Sequence, residues 1–303
     1  ISGTAGAVAA NTTYNFTLRA VDAASNTASR AFSITIQNNP VTESFTSSGT
    51  FSVPAGVTVA DVLVVGGGGF GGSQAPNPQH RAGSSGGGAG GLIFMPEYPV
   101  QACGTITVTV GPGGGPVGTA SPYVVGASSS FGAPGDPGLT PTSEVLTAIG
   151  GGGGGSAYQG CGPFSDGYDG GSGGGSNRGP GSGSAGVQGL GIQPTQPGNS
   201  GAYGFGNPGG YGGCTNGGGG GGAGASGAPP ACGQHGGIGR AYTIADGTTP
   251  VYYAGGGGGG PGGTGGQGGG GSASSQPAPG CGSRCGEANK GGGAAGDAST
   301  GVG

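Results

Sequence analysis

Glycine, and the position of its runs, constrains this chain more than any other feature. The chain has 303 residues and 90 glycines, of which only four precede Gly66. Unbroken runs of six glycines occupy 150–155, 217–222 and 255–260. Glycine near a third of the residues, without a strict three-residue period, is not the pattern of collagen. The chain must therefore fold around glycine tracts of another kind or leave them disordered.

Two observations favour order over disorder in these tracts. Charged residues make up only 6% of the chain, so little repulsion keeps it open. Apolar strand-like segments also recur between the tracts, and those at 146–150 and 251–255 run directly into glycine runs. We therefore predict polyglycine II helices, which have three residues per turn, a rise of ~3.1 Å and outward-pointing N–H and C=O groups. Such helices can form hydrogen bonds with one another in a hexagonal bundle, which must offset the entropic cost of ordering glycine.

The remaining sequence predicts an all-β fold. A hairpin is expected over 13–36 around a turn at 22–26, because Tyr14, Phe16 and Leu18 alternate with polar residues. Phe45, Phe51 and Val53 suggest a strand pair around Ser48-Gly49. Further strands are predicted at 57–65, 91–95, 105–111, 127–132, 146–150, 240–245 and 251–255.

The chain divides into two predicted domains, 1–39 and 40–303, at the "NNP" sequence 38–40. The first segment resembles the closing half of bacterial and phage Ig-like domains of the cadherin-like kind. A lone two-stranded hairpin is marginal in water, so we expect upstream sequence or a neighbouring subunit to complete it. The sequence begins at Ile1 without a methionine or signal peptide. We therefore expect a processed product or part of a longer protein.

The second segment contains ordered strand motifs that resemble a known family. "GTFSVPAGVTVADVLVVGGGGFGG", "ITVTVGPGGG", "ASSSFG" and "LTAIGGGGGG" resemble the glycine-rich domain of phage tail proteins and bacterial surface proteins. "GRAYTIADGTTPVYYAGGGGGG" is similar to the glycine-rich module of anaplastic-lymphoma-kinase-type receptors. The resemblance implies a jelly-roll-like β-sandwich with an inserted bundle of polyglycine II helices.

Charge and cysteine content bound the possible partners. The net charge is −4 and Lys290 is the single lysine, so we expect no nucleic-acid binding. No apolar run approaches the ~18 residues of a membrane span. An even number of cysteines in a chain with so little apolar core favours disulfides, with free buried thiols as the alternative and metal binding disfavoured. The candidates are Cys103, Cys161, Cys214, Cys232, Cys281 and Cys285.

No catalytic motif stands out from the glycine background. Patterns such as GxGxxG arise by chance when glycine is this frequent. His80 and His235 lie in Gly/Pro/Gln surroundings typical of surface loops, and "DGYDGG" at 166–171 is a solvated turn or, less favoured, a calcium ligand pair. We therefore expect no enzyme activity, no cofactor and no resident metal.

Aromatic residues in the long segment 156–213 are the candidate binding residues. They could pack on the flat faces of the glycine helices, or form an exposed tip that stacks on a sugar or protein receptor. The candidates are Tyr158, Phe164, Tyr168, Tyr203, Phe205 and Tyr211.

The expected function is that of a structural virion tail or tail-fibre protein with a host-recognition role. The alternative is an assembly subunit of an extracellular filament or cell-surface layer. The expected partners are other virion or filament subunits and a host-surface glycan or protein, in a virion or extracellular location.

Overall fold

The structure, a computed structural model, consists almost entirely of β-strands and extended segments. It describes residues 12–36, 41–72, 84–115, 125–156, 166–177, 187–194, 204–213, 216–260, 262–273 and 285–296. The strands in chain order are β1 (Thr12–Val21), β2 (Thr27–Ile36), β3 (Gly49–Ser52), β4 (Val59–Val65), β5 (Leu92–Pro99), β6 (Thr105–Thr109), β7 (Ser129–Phe131), β8 (Leu146–Ala148), β9 (Gly204–Phe205), β10 (Arg240–Tyr242) and β11 (Val251–Tyr253). The prediction of an all-β fold is confirmed.

These strands form several antiparallel sheets within the described residues. One sheet has the order β3-β6-β7-β8 and another has the order β4-β5-β9. Strands β1 and β2 form a hairpin, and so do β10 and β11. The sheet β4-β5-β9 contains a register shift between Ala60 and Val62 of β4.

The two larger sheets share one apolar core. From β4 and β5 it receives Val62, Val64, Ile93 and Met95, and from β6, β7 and β8 it receives Ile106, Val108, Phe131, Leu146 and Ala148. Full burial of a side chain such as Ile106 or Leu146 contributes about 1.5–3 kcal/mol. These side chains alternate along the strands with residues of the opposite face, as the pleat of a β-strand requires.

A smaller apolar cluster lies on the other face of β4 and β5. Its buried members are Ala89, Leu92, Ala223 and Ala254. The cluster thus joins a strand residue to alanines that lie within glycine tracts. It is the place where the sheet meets the glycine-rich part of the chain.

Aspartates hold two of the turns. The Asp136 carboxylate accepts hydrogen bonds from the N–H groups of Thr107, at 2.7 Å, and Ala133, at 2.8 Å. The Thr107 bond is the main cause of the lowered pKa of Asp136. In the β10–β11 turn, hydrogen bonds from the side chain and backbone of Thr249 and the backbone of Thr248 lower the pKa of Asp246 to about 2.

One predicted strand pair is wrong. Residues 41–47 form no strand, and β3 pairs instead with β6, so that Phe51 lies opposite Ile106. The Ser48 side chain also accepts a hydrogen bond from the Val110 N–H at 3.0 Å, which ties this turn to the β6 side. The partner of Phe51, Ile106 in β6, lies much farther along the chain than the local pattern indicates. The two-residue strand β9, which pairs with β5, was not predicted.

The predicted hairpin at 13–36 is present as β1 and β2. Phe16 and Phe32 are opposite each other and their rings stack with centroids 5.7 Å apart. Nearly every residue of the two strands is exposed, including Tyr14 and Ile34. That the hairpin needs a partner remains a prediction.

Candidate functional site

The glycine tracts are extended segments, here called rods, whose hydrogen bonds repeat every third residue. In the rod 84–91, three N–H groups spaced by three residues donate to carbonyls of the rod 149–155, which are also spaced by three. The bonds run from Ser85 to Gly155, from Gly88 to Gly152 and from Gly91 to Ile149, with lengths of 3.1, 2.8 and 2.7 Å. A repeat of three is that of the helix predicted for these tracts.

The rod 84–91 is bonded to six other segments. Its N–H groups donate in turn to three neighbours, and its carbonyls accept from three more. The neighbours that receive its N–H groups are 149–155, 218–221 and 291–294, and those that donate to its carbonyls are 66–72, 172–175 and 257–260. Six neighbours correspond to the hexagonal arrangement expected of such a bundle. Every N–H group from Ser85 to Gly91, and every carbonyl of the rod except that of Gly90, is thus bonded to another backbone group among the described residues.

Glycine is required in the rods because neighbouring backbones lie where a Cβ would be. A Cβ at Gly88 would overlap the carbonyl oxygen of Ser172, and one at Gly257 would overlap that of Ala294. There is room at the margins, for example at Gly115 and Gly213, where no atom of the described residues lies within 4 Å of the added atom. The glycine content thus follows from direct backbone contact between rods.

Four of the long rods are anchored to strands at one end. Strand β4 continues into the rod 66–72, β8 into 149–155 and β11 into 254–260, while the rod 84–91 leads into β5. Because each rod continues a strand that packs in an apolar cluster, the sheets fix the position of the rods at this end.

The opposite end of the bundle, here called the far end, brings several rods together. The Gly72 N–H donates to Ser85 at 2.8 Å, the Ser85 N–H donates to Gly155, and the Gly155 N–H donates to Gly175 at 2.9 Å. These four rods therefore end side by side. The chain leaves the described part of the structure at this end, after Gly72, Ser156 and Asn177.

Where no neighbouring rod lies beside a rod, polar side chains form hydrogen bonds with its backbone groups instead. The buried Gln193 amide accepts from the Ile149 N–H at 2.7 Å and donates to the Thr147 carbonyl at 3.1 Å. The Asn207 amide donates to the Gly222 carbonyl at 2.7 Å. These amides bond to the rods as a peptide group would. Sequence reasoning missed them because their partners are distant in the chain.

Asp166 and Asp169 have a similar role at an outer edge. Asp166 Oδ1 accepts from the Val187 N–H at 3.1 Å, and Asp169 Oδ1 accepts from the Leu190 N–H at 2.7 Å. The shared spacing of three residues was a signal present in the sequence. No cluster of three or more acidic, histidine or cysteine side chains suited to a metal occurs among the described residues.

The aromatic candidates separate into different environments. Phe205, in β9, is half-buried beneath the Arg240 guanidinium, which lies 3.5 Å from the ring centroid, and packs against the smaller apolar cluster. Tyr168 is half-buried, and its backbone is bonded to Gly153 and Gly174. Tyr211 is 43% exposed. Of the described three, Tyr211 is thus the ring most available to a partner.

The other three aromatic candidates, Tyr158, Phe164 and Tyr203, lie outside the described residues. Their predicted binding role stays a prediction.

The cysteines do not form one simple framework. The expectation of a disulfide is wrong at Cys103 and Cys232, whose thiols are free and exposed. Cys103 lies in a turn, and Cys232 ends the short 3-10 helix Pro230–Cys232. Cys285 is disulfide-bonded. The other candidates, Cys161, Cys214 and Cys281, lie outside the described residues, so the pairing stays open.

Comparison with known families assigns most of the chain to one family. A family model described as a glycine-rich domain matches residues 44–303. The chain belongs to this glycine-rich domain family. The glycine-rich domain begins just after the hairpin β1–β2, close to the predicted boundary at residue 40. No curated protein and no solved structure matches the chain significantly. Within the described part of the glycine-rich domain and its hairpin, no helix is long and apolar enough to cross a membrane.

Proposed function

We propose that this chain is a non-enzymatic structural protein of a virion tail, a fibre or distal tail component that recognises a host surface. The observation that carries the proposal is the rod bundle itself. Rods bonded to six neighbours and anchored in sheets form a rigid support of low charge, and loops on rigid supports tend to carry binding functions.

In this proposal the two larger sheets form a β-sandwich, and the rods are polyglycine II helices that project from it. The bundle is held by backbone hydrogen bonds, each worth about 0.5–1.5 kcal/mol net. Segment lengths at the far end can then vary without changing the rods. The hairpin β1–β2 belongs to an Ig-like unit that links the bundle to the rest of the assembly.

Tyr211 is the described residue best placed for recognition. It lies in the segment 206–213, near the far end, because the adjacent Gly212 N–H donates to the Ser176 side chain. An exposed tyrosine offers a large stacking surface at low entropic cost. With a net charge of −4 on 303 residues, binding should depend on stacking and hydrogen bonds and vary little with salt.

A glycan array probed with the purified chain tests the recognition role. We expect Tyr211→Ser to reduce glycan binding without changing the melting temperature. Tyr252→Ser is the matched control, because Tyr252 is 38% exposed on β11, at the strand end of the bundle. Equal binding by wild type and both variants would place recognition elsewhere.

The second candidate is a subunit of an extracellular filament or cell-surface layer, which the exposed edges of the bundle favour. The two candidates differ in where the chain is found. In density gradients of a culture lysate, peptides of this chain should co-purify with tailed particles in the first case and with cell envelopes in the second. Absence from both fractions would contradict both candidates.

A further inference from the structure

The bundle has an open edge at the rod 234–239. Two of every three N–H groups in this rod are bonded to neighbours, as at Gly236, which donates to Thr264, and Gly237, which donates to Gly220. The N–H groups of His235 and Ile238 donate to no group among the described residues. Because they are three residues apart, they point in the same direction, and both residues are exposed.

A second outer edge, at the rod 187–192, is closed by acid side chains. Asp166 and Asp169 accept the Val187 and Leu190 N–H groups through Oδ1, which leaves Oδ2 of each carboxylate without a partner among the described residues. Val187 and Leu190 are 57% and 52% exposed beside them. This edge therefore presents a pair of acceptor oxygens next to aliphatic side chains.

We propose that these two edges bind each other in neighbouring copies of this chain. Oδ2 of Asp166 and Asp169 in one copy accepts the N–H groups of His235 and Ile238 in the next. Ile238, 49% exposed, packs against Leu190 of the first copy.

The spacing of the two edges supports a second copy as the occupant. Both the donor pair and the acceptor pair are three residues apart, which corresponds to about 9.3 Å in an extended helix of this type. The donors are backbone N–H groups and the acceptors are carboxylates, so the bonds between them are charge-assisted. The polar groups and the aliphatic side chains of one edge thus each meet their complement on the other.

The contact is heterologous, because the two edges are different surfaces. Such a contact forms rings if the rotation closes and open filaments if it does not. The inference is independent of the recognition role proposed above, since it uses neither Tyr211 nor the far end.

Sedimentation velocity over a concentration series tests the contact. Wild type should form species larger than a monomer as concentration rises. Ile238→Glu places a carboxylate against Asp166 and Asp169, and should weaken association about a hundredfold through like-charge repulsion and lost packing. Leu190→Glu removes the packing partner of Ile238 and places a carboxylate against that aliphatic side chain, and should weaken association to a similar extent. Val125→Glu is the matched control, because Val125 is also 49% exposed but on neither edge.

A mixture of the two variants tests the heterologous geometry. Ile238→Glu keeps the edge at Asp169 intact, and Leu190→Glu keeps the edge at His235 intact. Each variant should be monomeric alone, and an equimolar mixture should form a one-to-one dimer. Should Leu190→Glu fail to fold by its thermal melt, Val187→Glu tests the same edge.

Three results from sedimentation of the individual proteins would overturn the proposal. These are a wild type that stays monomeric at every concentration, association that both edge variants leave unchanged, and association that Phe16→Ser in the hairpin abolishes instead. A mixture that stays monomeric while wild type associates would also overturn it.

Discussion

Replacing Gly220 by alanine tests why the rods need glycine. A Cβ at Gly220 would overlap the carbonyl oxygen of Gly87 and lie 2.9 Å from the amide nitrogen of Gly88. That carbonyl oxygen is held from its other side, since it accepts from the Gly257 N–H at 2.9 Å. The added methyl group therefore cannot be accommodated by a side-chain rotation, and the rods 84–91 and 217–222 must move apart.

The expected cost follows from the contacts between these two rods. Two hydrogen bonds join them, from Gly86 to Gly218 at 3.0 Å and from Ala89 to Gly221 at 2.9 Å. Losing each costs about 0.5–1.5 kcal/mol, and overpacking adds about 1–3 kcal/mol. Alanine restricts the unfolded chain, which returns about 0.4–1 kcal/mol. We expect a net loss of about 3 kcal/mol, or roughly 6–12 °C in Tm.

Scanning calorimetry of Gly220→Ala beside Gly213→Ala measures this loss. No atom of the described part of the chain lies within 4 Å of a Cβ at Gly213, so that variant should melt at or slightly above the wild-type temperature. If Gly220→Ala and Gly213→Ala lower the melting temperature by the same amount, the conformational preference of glycine rather than steric contact explains why the rods contain glycine. That result would refute the reasoning.

Two further predictions concern single side chains, and a third concerns the hairpin β1–β2. Gln193→Ala leaves the Ile149 N–H without its acceptor and should cost about 1–3 kcal/mol in urea denaturation, whereas Gln188→Ala should leave the midpoint unchanged. Asp246 has a depressed pKa when folded, so its stabilising effect is present above its usual pKa of 3.8 and is lost as pH falls toward about 2. Carboxyl NMR titration should show this, and a midpoint at the usual value would contradict it. In a monomer, the β1 and β2 amides should exchange far faster than those of β4, and equal protection would show that the hairpin needs no partner.

Much of the strand content could be predicted from local pattern. Strand β4 alternates β-branched residues over a length that suits the pleat, and the turn at Asp22 separates two alternating runs. The pairing of Phe51 was mispredicted because its partner Ile106 is far along the chain. Strand β9 was missed because two residues, Gly204 and Phe205, carry too little pattern.

Composition indicated that the glycine tracts could bond to one another, but it did not indicate which side chains lie at their edges. Six-glycine runs that continue strands indicate rods, because no side chain prevents backbones from touching. Which side chains close the bundle depends on pairs such as Asp169 and Leu190, which are 21 residues apart. Phe205 was proposed as a binding residue because it lies among the aromatic residues of 156–213. Its contact with Arg240 joins two segments whose proximity no local pattern shows.

Amide hydrogen exchange across the glycine tracts, read residue by residue by NMR, tests the ordered rods most directly. If the rods are bonded as described, the amides of 84–91, 218–222 and 255–260 should be protected to an extent comparable with those of β4 and β5. Exchange in these tracts as fast as in an unfolded glycine peptide would contradict the account.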